Sequence, residues 1–151
     1  MIVFRIGKEQ YSKDLSGNGA KLYGGRWNNT GVPCVYTSQS RALALLEYSA
    51  NVGMDFIPPN LCFTLIEIAP DLIDETVFEN LPKDWNAIPT SSSTKLLGST
   101  KLAQSNLPIL KVPSVIIPNE FNYIINPLFL DNNSLKIIDI EKYTYDFRIK
   151  G

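Results

Sequence analysis

The sequence predicts a single mixed α+β domain with several short strands and few helices. Three observations carry that reading. The chain has 151 residues, 44% hydrophobic and 19% charged, which is enough apolar material for one core and too little length for two. Short β-patterned runs recur from the first residues to the last, bounded by proline and glycine. Helical patterning is confined to RALALLEYSANV and a shorter stretch over residues 94–103.

The elements follow in order. Ile2, Phe4 and Ile6 alternate with Val3 and Arg5, the pattern of a first strand. Residues 12–31 hold five of the nine glycines and read as a loop. That loop carries Tyr23, Arg26 and Trp27, and large side chains on a glycine-rich loop point to function. Residues 32–36 read as a short strand. Ser38 or Ser40 then caps a helix over residues 41–52, stopped by Gly53. Residues 61–68 are β-rich between Pro59 and Pro70. Residues 109–112 and 114–117 are apolar runs interrupted by Pro113. Ser114 and Asn122 fall in loop-like pieces flanked by proline. At the end, Tyr143, Tyr145, Phe147 and Ile149 alternate with Thr144, Asp146 and Arg148, which predicts a half-buried last strand.

Composition excludes several classes of function. The net charge is -1, so nothing suggests the basic face of a nucleic-acid binder. There is no histidine, which removes His-based zinc sites, Ser-His-Asp triads and Cys-His dyads. Cys34 and Cys62 read as buried, reduced residues rather than a disulfide framework. The start, MIVFRIGKEQ, carries Arg5, Lys8 and Glu9 and is neither a signal peptide nor a membrane span. No segment approaches the ~18 continuous apolar residues of a membrane helix. A cytoplasmic protein is expected. No metal-ligand spacing appears; Asp71, Asp74 and Glu75 read as a solvated turn. GNGAKLYGG matches neither phosphate-loop pattern.

Chemistry must therefore come from other side chains. Glu47 lies midway along the proposed helix, with Leu43, Ala44, Ala50 and Asn51 beside it. A carboxylate among apolar neighbours is costly unless paired or used, although an exposed surface glutamate fits the spacing equally well. Arg26 follows Gly24 and Gly25, and its fork suits phosphate oxygens; an arginine stacked on Trp27 in a surface turn is the plainer alternative. Tyr36 ends a short strand just before the helix, where a core tyrosine is the usual case. Ser114 and Asn122 read by themselves as backbone caps.

Taken together, the run LSGNGAKLYGGRWNNTGVPCVYTSQSRALALLE resembles the core of the RES family, toxins usually encoded beside an Xre-type helix-turn-helix antitoxin. WNAIPTSSSTKLLGSTKLAQSNLPILKVPSVIIPNEFNYIINP resembles the family's second half, and YDFRI its closing strand. The resemblance spans nearly the whole chain, and the joint pattern GGRWN, VYTS, LLE, VPS and FNYIINP is specific. It implies an ADP-ribosyltransferase-like fold, a split mixed sheet around a cleft for NAD. It carries the family's arginine onto Arg26, its glutamate onto Glu47, its serine onto Ser114 and its tyrosine onto Tyr36, the four catalytic candidates. One departure is GSTKLAQSN, which replaces an acidic, tryptophan-bearing stretch followed by Gly-Arg-Ser, so no auxiliary site is carried over there.

The chemistry implied is cleavage of the nicotinamide–ribose bond, with NAD as substrate and no metal. Positive charge develops on the ribose, and Glu47 would oppose it. Nicotinamide leaves from a cationic state, so the absence of histidine is no obstacle. Arg26 would hold the pyrophosphate and Tyr36 the nicotinamide ring. Arg5, Tyr23, Trp27 and Asn122 complete the residues expected to contact NAD. Water, inorganic phosphate or a protein side chain are all open as acceptor. A non-catalytic NAD-binding module is the rival from another class. The partner implied is an Xre-type antitoxin that covers the cleft near Arg26 and Tyr36, with room for a toxin homodimer inside the complex.

Overall fold

The computed structural model describes residues 1–129 and 135–151. Its elements are β1 (Ile2–Lys8), α1 (Asn18–Tyr23), β2 (Val35–Ser38), α2 (Arg41–Asn51), β3 (Asn60–Ile68), β4 (Ile73–Asp74), α3 (Ser92–Gln104), β5 (Ile109–Pro113), β6 (Phe121–Ile125) and β7 (Leu135–Thr144), joined by short 3-10 turns. The strands form one seven-stranded mixed sheet in the order β4-β5-β6-β2-β1-β3-β7. β4 and β5 run parallel; every other neighbouring pair is antiparallel. The architecture is the α+β class that the sequence predicts.

The sheet is nearly divided. β1 pairs with β3 over seven positions, and β2 with β6 over four. Between β1 and β2 the only registered pair is Phe4 with Ser38. One ladder, β7-β3-β1, is thus joined to the other, β2-β6-β5-β4, at one point.

Strand alternation sorts the core onto two faces. Val3, Val35, Ile66, Ile68, Ile109, Tyr123 and Ile125 pack together on one face. Trp27, Cys34, Val77, Leu102, Leu110, Val112 and Ile124 pack on the other, with Tyr36 against them. Phe4, Ile6, Phe63 and Leu65 share that second face and receive Ala44 of α2. So α2 covers one half of the second face, and Trp27 with α3 covers the other half. The gap between them lies over the β1–β2 joint.

Local chemistry explains the helices. Ser40, not Ser38, caps α2: its side chain accepts from the Leu43 N–H at 3.1 Å. At the other end Lys150 Nζ donates to the carbonyls of Ser49 at 2.7 Å and Val52 at 2.9 Å, groups a helix end leaves unpaired. Ser91 caps α3 in the same way. Gly98 lets α3 approach the glycine-rich loop; a Cβ there would lie 1.9 Å from the Trp27 carbonyl oxygen.

Three expectations are corrected. The stretch read as loop contains α1, bounded by Gly17 and Gly24 at φ 73° and 70°, values that favour glycine. Asn122 lies within β6, not in a loop, paired on both sides by β2 and β5. The last strand ends at Thr144; residues 147–149 form a 3-10 turn whose Arg148 N–H is held by the Asp146 side chain. Tyr145 is buried there, and its hydroxyl shares a 2.8 Å hydrogen bond with Ser49 Oγ on α2.

Candidate functional site

The gap is a cleft of about 800 Å³, large enough for a nucleotide-sized ligand. Glu47, Tyr36, Arg26, Trp27, Arg5 and Asn122 border it, so the topology brings together most of the residues picked from sequence.

Glu47 is half-buried on the α2 side. Its Oε1 accepts from Ser114 Oγ at 2.7 Å and from Asn122 Nδ2 at 2.7 Å. Among the described residues Oε2 accepts no hydrogen bond. The carboxylate is held by one oxygen while the other is left for a ligand. Both donors are themselves fixed. Ser114 Oγ accepts from the N–H groups of Ile116 and Ile117 at 3.1 Å each, which leaves its proton for Glu47. Ser38 Oγ donates to Asn122 Oδ1 at 2.6 Å, which turns the Asn122 amide so that Nδ2 faces Glu47. Ser114 is 0% exposed and stands behind Glu47 rather than on the cleft wall.

Tyr36 keeps its hydroxyl inward. It donates to Asn28 Oδ1 at 2.6 Å and accepts from the Trp27 N–H at 3.0 Å. Burial pushes its pKa well above the ordinary tyrosine value, so it stays a neutral donor, with its ring on the cleft wall. Gly25 serves this contact, because a Cβ there would come within 2.6 Å of the tyrosine oxygen. Asn28 is fully buried and ties the loop together, donating to Ala20 O and Val32 O at 2.9 Å each. Cys34, two residues before Tyr36, has its thiol pushed up to about 12 by burial and is no nucleophile at neutral pH.

Arg26 reaches across to residues 85–87, where one terminal nitrogen donates to Trp85 O at 3.0 Å and Ala87 O at 2.9 Å. Partial burial lowers its pKa, and the nearby negative charge of Glu47 opposes that shift. The guanidinium's other nitrogens remain for a ligand. Arg5 is placed differently. It alternates with Phe4 and Ile6, and its guanidinium donates to the carbonyls of Tyr11 and Asp14, where Thr64 also holds Ser12 at 2.7 Å. It fastens that loop to the first face, which argues against a phosphate contact. Tyr23 ends α1 83% exposed and does not border the cleft. Trp27 is 2% exposed, so its side chain belongs to the core and its backbone to the site.

Sequence reasoning passed over three residues. Asn28 stands in GGRWN, but nothing local marks it as the tie of the loop. Ser38 reads in sequence as a helix cap, because its partner Asn122 is 84 residues away. Lys95, on α3, borders the cleft and lies within the run that resembles the family's second half but in none of its short motifs. Among the described residues no group of three or more His, Cys, Asp or Glu side chains is placed to hold a metal, and no helix is long and apolar enough to cross a membrane.

The model of one family, the RES domain, matches residues 2–148. The chain belongs to the RES family. This RES domain is 42% identical over 132 residues to "Toxin Res" of Photorhabdus laumondii, covering 87% of this chain and 85% of that one. It is 38% identical over 139 residues to "Prs ADP-ribosylating toxin" of a Sphingobium species, covering 90% and 86%. "Toxin Res" of Pseudomonas putida is 34% identical over 151 residues, 99% of each chain. Among solved structures, a chain of the M. tuberculosis MbcT–MbcA toxin–antitoxin complex superposes with a TM-score of 0.71 at 15% identity, covering 95% of this chain and 84% of that one. At that identity the likeness is one of fold.

Proposed function

We propose that this RES domain is the toxin of a toxin–antitoxin pair and that it consumes NAD by breaking the nicotinamide–ribose bond. The observation that carries the reading is Glu47. Its carboxylate is held by Ser114 and Asn122 through one oxygen, the other having no partner among the described residues, at the edge of a cleft that Tyr36 and Arg26 share. Such a group opposes positive charge without moving. As the C1′–N bond breaks, its electron pair leaves with nicotinamide and the ribose becomes cationic. Glu47 Oε2 stabilises that charge, and the Tyr36 ring supports the nicotinamide. The free edge of the Arg26 guanidinium takes a phosphate oxygen. Ser114, Asn122 and Ser38 position Glu47. Water then adds at C1′ and gives its proton to solvent, leaving ADP-ribose; inorganic phosphate in its place gives the ribose 1-phosphate ester.

A second reading rests on one of the relatives. The Sphingobium protein is named an ADP-ribosylating toxin, which favours a protein side chain as acceptor here as well. The partner is proposed to be an antitoxin of the Xre type that covers the cleft entrance, both acting in the cytoplasm. The fold neighbour was solved as a toxin–antitoxin complex, which supports an antitoxin partner.

The test is nicotinamide release by the purified protein from NAD, with and without phosphate and with a protein lysate supplied as acceptor. Release in buffer alone identifies water, and phosphate dependence identifies phosphate. Label transferred to protein identifies the second reading. No release under any condition refutes NAD consumption. Growth arrest on expression, relieved by the co-expressed antitoxin, tests the pairing.

A further inference from the structure

Three cationic side chains border the cleft, Arg5, Arg26 and Lys95, against one acidic side chain, Glu47. Their environments differ. The Arg5 guanidinium is bonded to main-chain carbonyls of the loop on the first face. Arg26 gives both protons of one terminal nitrogen to Trp85 and Ala87. Lys95 is half-buried, and among the described residues its side chain makes no hydrogen bond and no ion pair. A cleft-lining ammonium with no protein partner is free to take an anionic group of a ligand. Lys95 also lies in the opening turn of α3, the end of a helix that favours a negative charge nearby. An anion in the cleft that both side chains line would meet the Lys95 ammonium and the free edge of the Arg26 guanidinium. The charge balance agrees. A dinucleotide brings two negative charges on its phosphates, and Arg26 is already offset by Glu47.

We propose that Lys95 is an anion-binding side chain of this cleft, taking the phosphate oxygens of the dinucleotide. The inference rests on the NAD reading above and adds to it the residue that discriminates a phosphorylated ligand from its nucleoside. Lysine suits the task as a point charge on a flexible stem, able to follow a phosphate rather than fix it in a fork. Free inorganic phosphate offers the same oxygens, and the test separates the two sources.

Binding of ADP-ribose and of adenosine is measured by calorimetry at low and high salt for the wild type, Lys95→Gln and Lys95→Arg. Nicotinamide release by the same proteins is followed as inorganic phosphate is raised. Expected is a loss of about tenfold in ADP-ribose affinity for Lys95→Gln, with a shallower salt dependence. Adenosine affinity stays the same, and Lys95→Arg retains most of the ADP-ribose affinity. If ADP-ribose binding is unchanged but the phosphate concentration for half-maximal release rises about tenfold, Lys95 serves free phosphate, and its assignment to the dinucleotide is overturned. If neither changes, Lys95 is a solvated surface charge and the anion site is overturned. The two readings fail separately. Wild-type behaviour of Lys95→Gln beside an inactive Glu47→Gln removes the Lys95 site and leaves NAD cleavage standing. Lys95-dependent ADP-ribose binding without nicotinamide release does the reverse.

Discussion

Glu47→Gln is a sharper experiment in this protein than isosteric replacement usually is, because its neighbours dictate how the new amide must lie. Ser114 Oγ and Asn122 Nδ2 both donate to Oε1, and neither can turn away. The Ser114 oxygen is held by two backbone N–H groups, and the Asn122 carbonyl oxygen is held by Ser38. Two fixed donors require an acceptor, so the glutamine carbonyl takes the place of Oε1 and its NH2 takes the place of Oε2. The group left for a ligand changes from a negative oxygen to a pair of N–H donors. Removing a preorganised electrostatic contact of this kind costs about 2.7–4 kcal/mol in the transition state, or about 10²–10³ in kcat. The hydrogen bonds are all replaced, so the melting temperature should shift by less than ~2 °C, since ~1 kcal/mol moves a domain of this size by a few degrees. ADP-ribose affinity, which does not depend on the developing charge, should change little. The assay is nicotinamide release under saturating NAD, with a melting curve on the same sample. Turnover within a factor of about three of wild type would refute the role given to Glu47. A large stability loss would refute the amide orientation argued here.

Further substitutions read other parts of the site. Tyr36→Phe keeps the ring but orphans the Trp27 N–H and Asn28 Oδ1, so chemical denaturation should show a loss of about 1–3 kcal/mol per group left unpaired. Arg26→Lys should weaken NAD binding and lower the melting temperature together, because one guanidinium nitrogen serves two carbonyls while the rest of the fork faces the cleft; unchanged calorimetry and melting would make Arg26 a surface residue. Gly98→Ala, which helix propensity alone would favour by ~1 kcal/mol, should instead destabilise, since its methyl meets the Trp27 carbonyl at 1.9 Å. A raised urea midpoint would show that α3 does not sit as described. Stability should fall in alkali. Cys34 and Tyr36 both have raised pKa values in the folded state, so the native protein keeps protons that the unfolded chain releases. The Cys34 contribution is complete below pH 9.0, the ordinary cysteine value, and is lost as pH rises toward about 12; that of Tyr36 is complete up to pH 10.0, the ordinary tyrosine value, and falls above it. Each group lowers stability by up to ~1.4 kcal/mol per pH unit in that window, and Cys34→Ala should flatten the urea midpoint against pH.

What the sequence revealed follows from where the deciding forces lie. The α2 helix was legible because its cap, its apolar face and its stop are all local, although choosing Ser40 over Ser38 needed the structure. The first strand and β3 were legible from composition and alternation. The β6 strand was not, because FNYII between prolines looks like a loop until β2 and β5 supply its partners. The α1 helix has six residues and no buried side chain, so it leaves no periodicity to find. At the C-terminus, alternation was real but misleading: Tyr145 is buried to meet Ser49, not to continue a ladder. The acidic and aromatic members of the site were legible through motif. Ser38 and Lys95 were not, since their roles come from what the fold places beside them.

The single-pair joint between β1 and β2 has a consequence for how the domain opens. Seven paired positions secure one ladder internally and longer pairings secure β3 to β7, yet the seam itself carries only Phe4 with Ser38. Cooperative units separate where few bonds cross, so the natural boundary between foldons runs along that seam. The cleft straddles it. Its lining comes from α2 and β1 on one bank and from β2, β6 and the glycine-rich loop on the other, so a ligand there would touch both. It acts as a suture, adding its binding energy to the one place where the sheet lacks its own. Amides flanking the seam should thus slow in hydrogen exchange when ADP-ribose is bound, and in the empty protein the two ladders should exchange with separate opening energies.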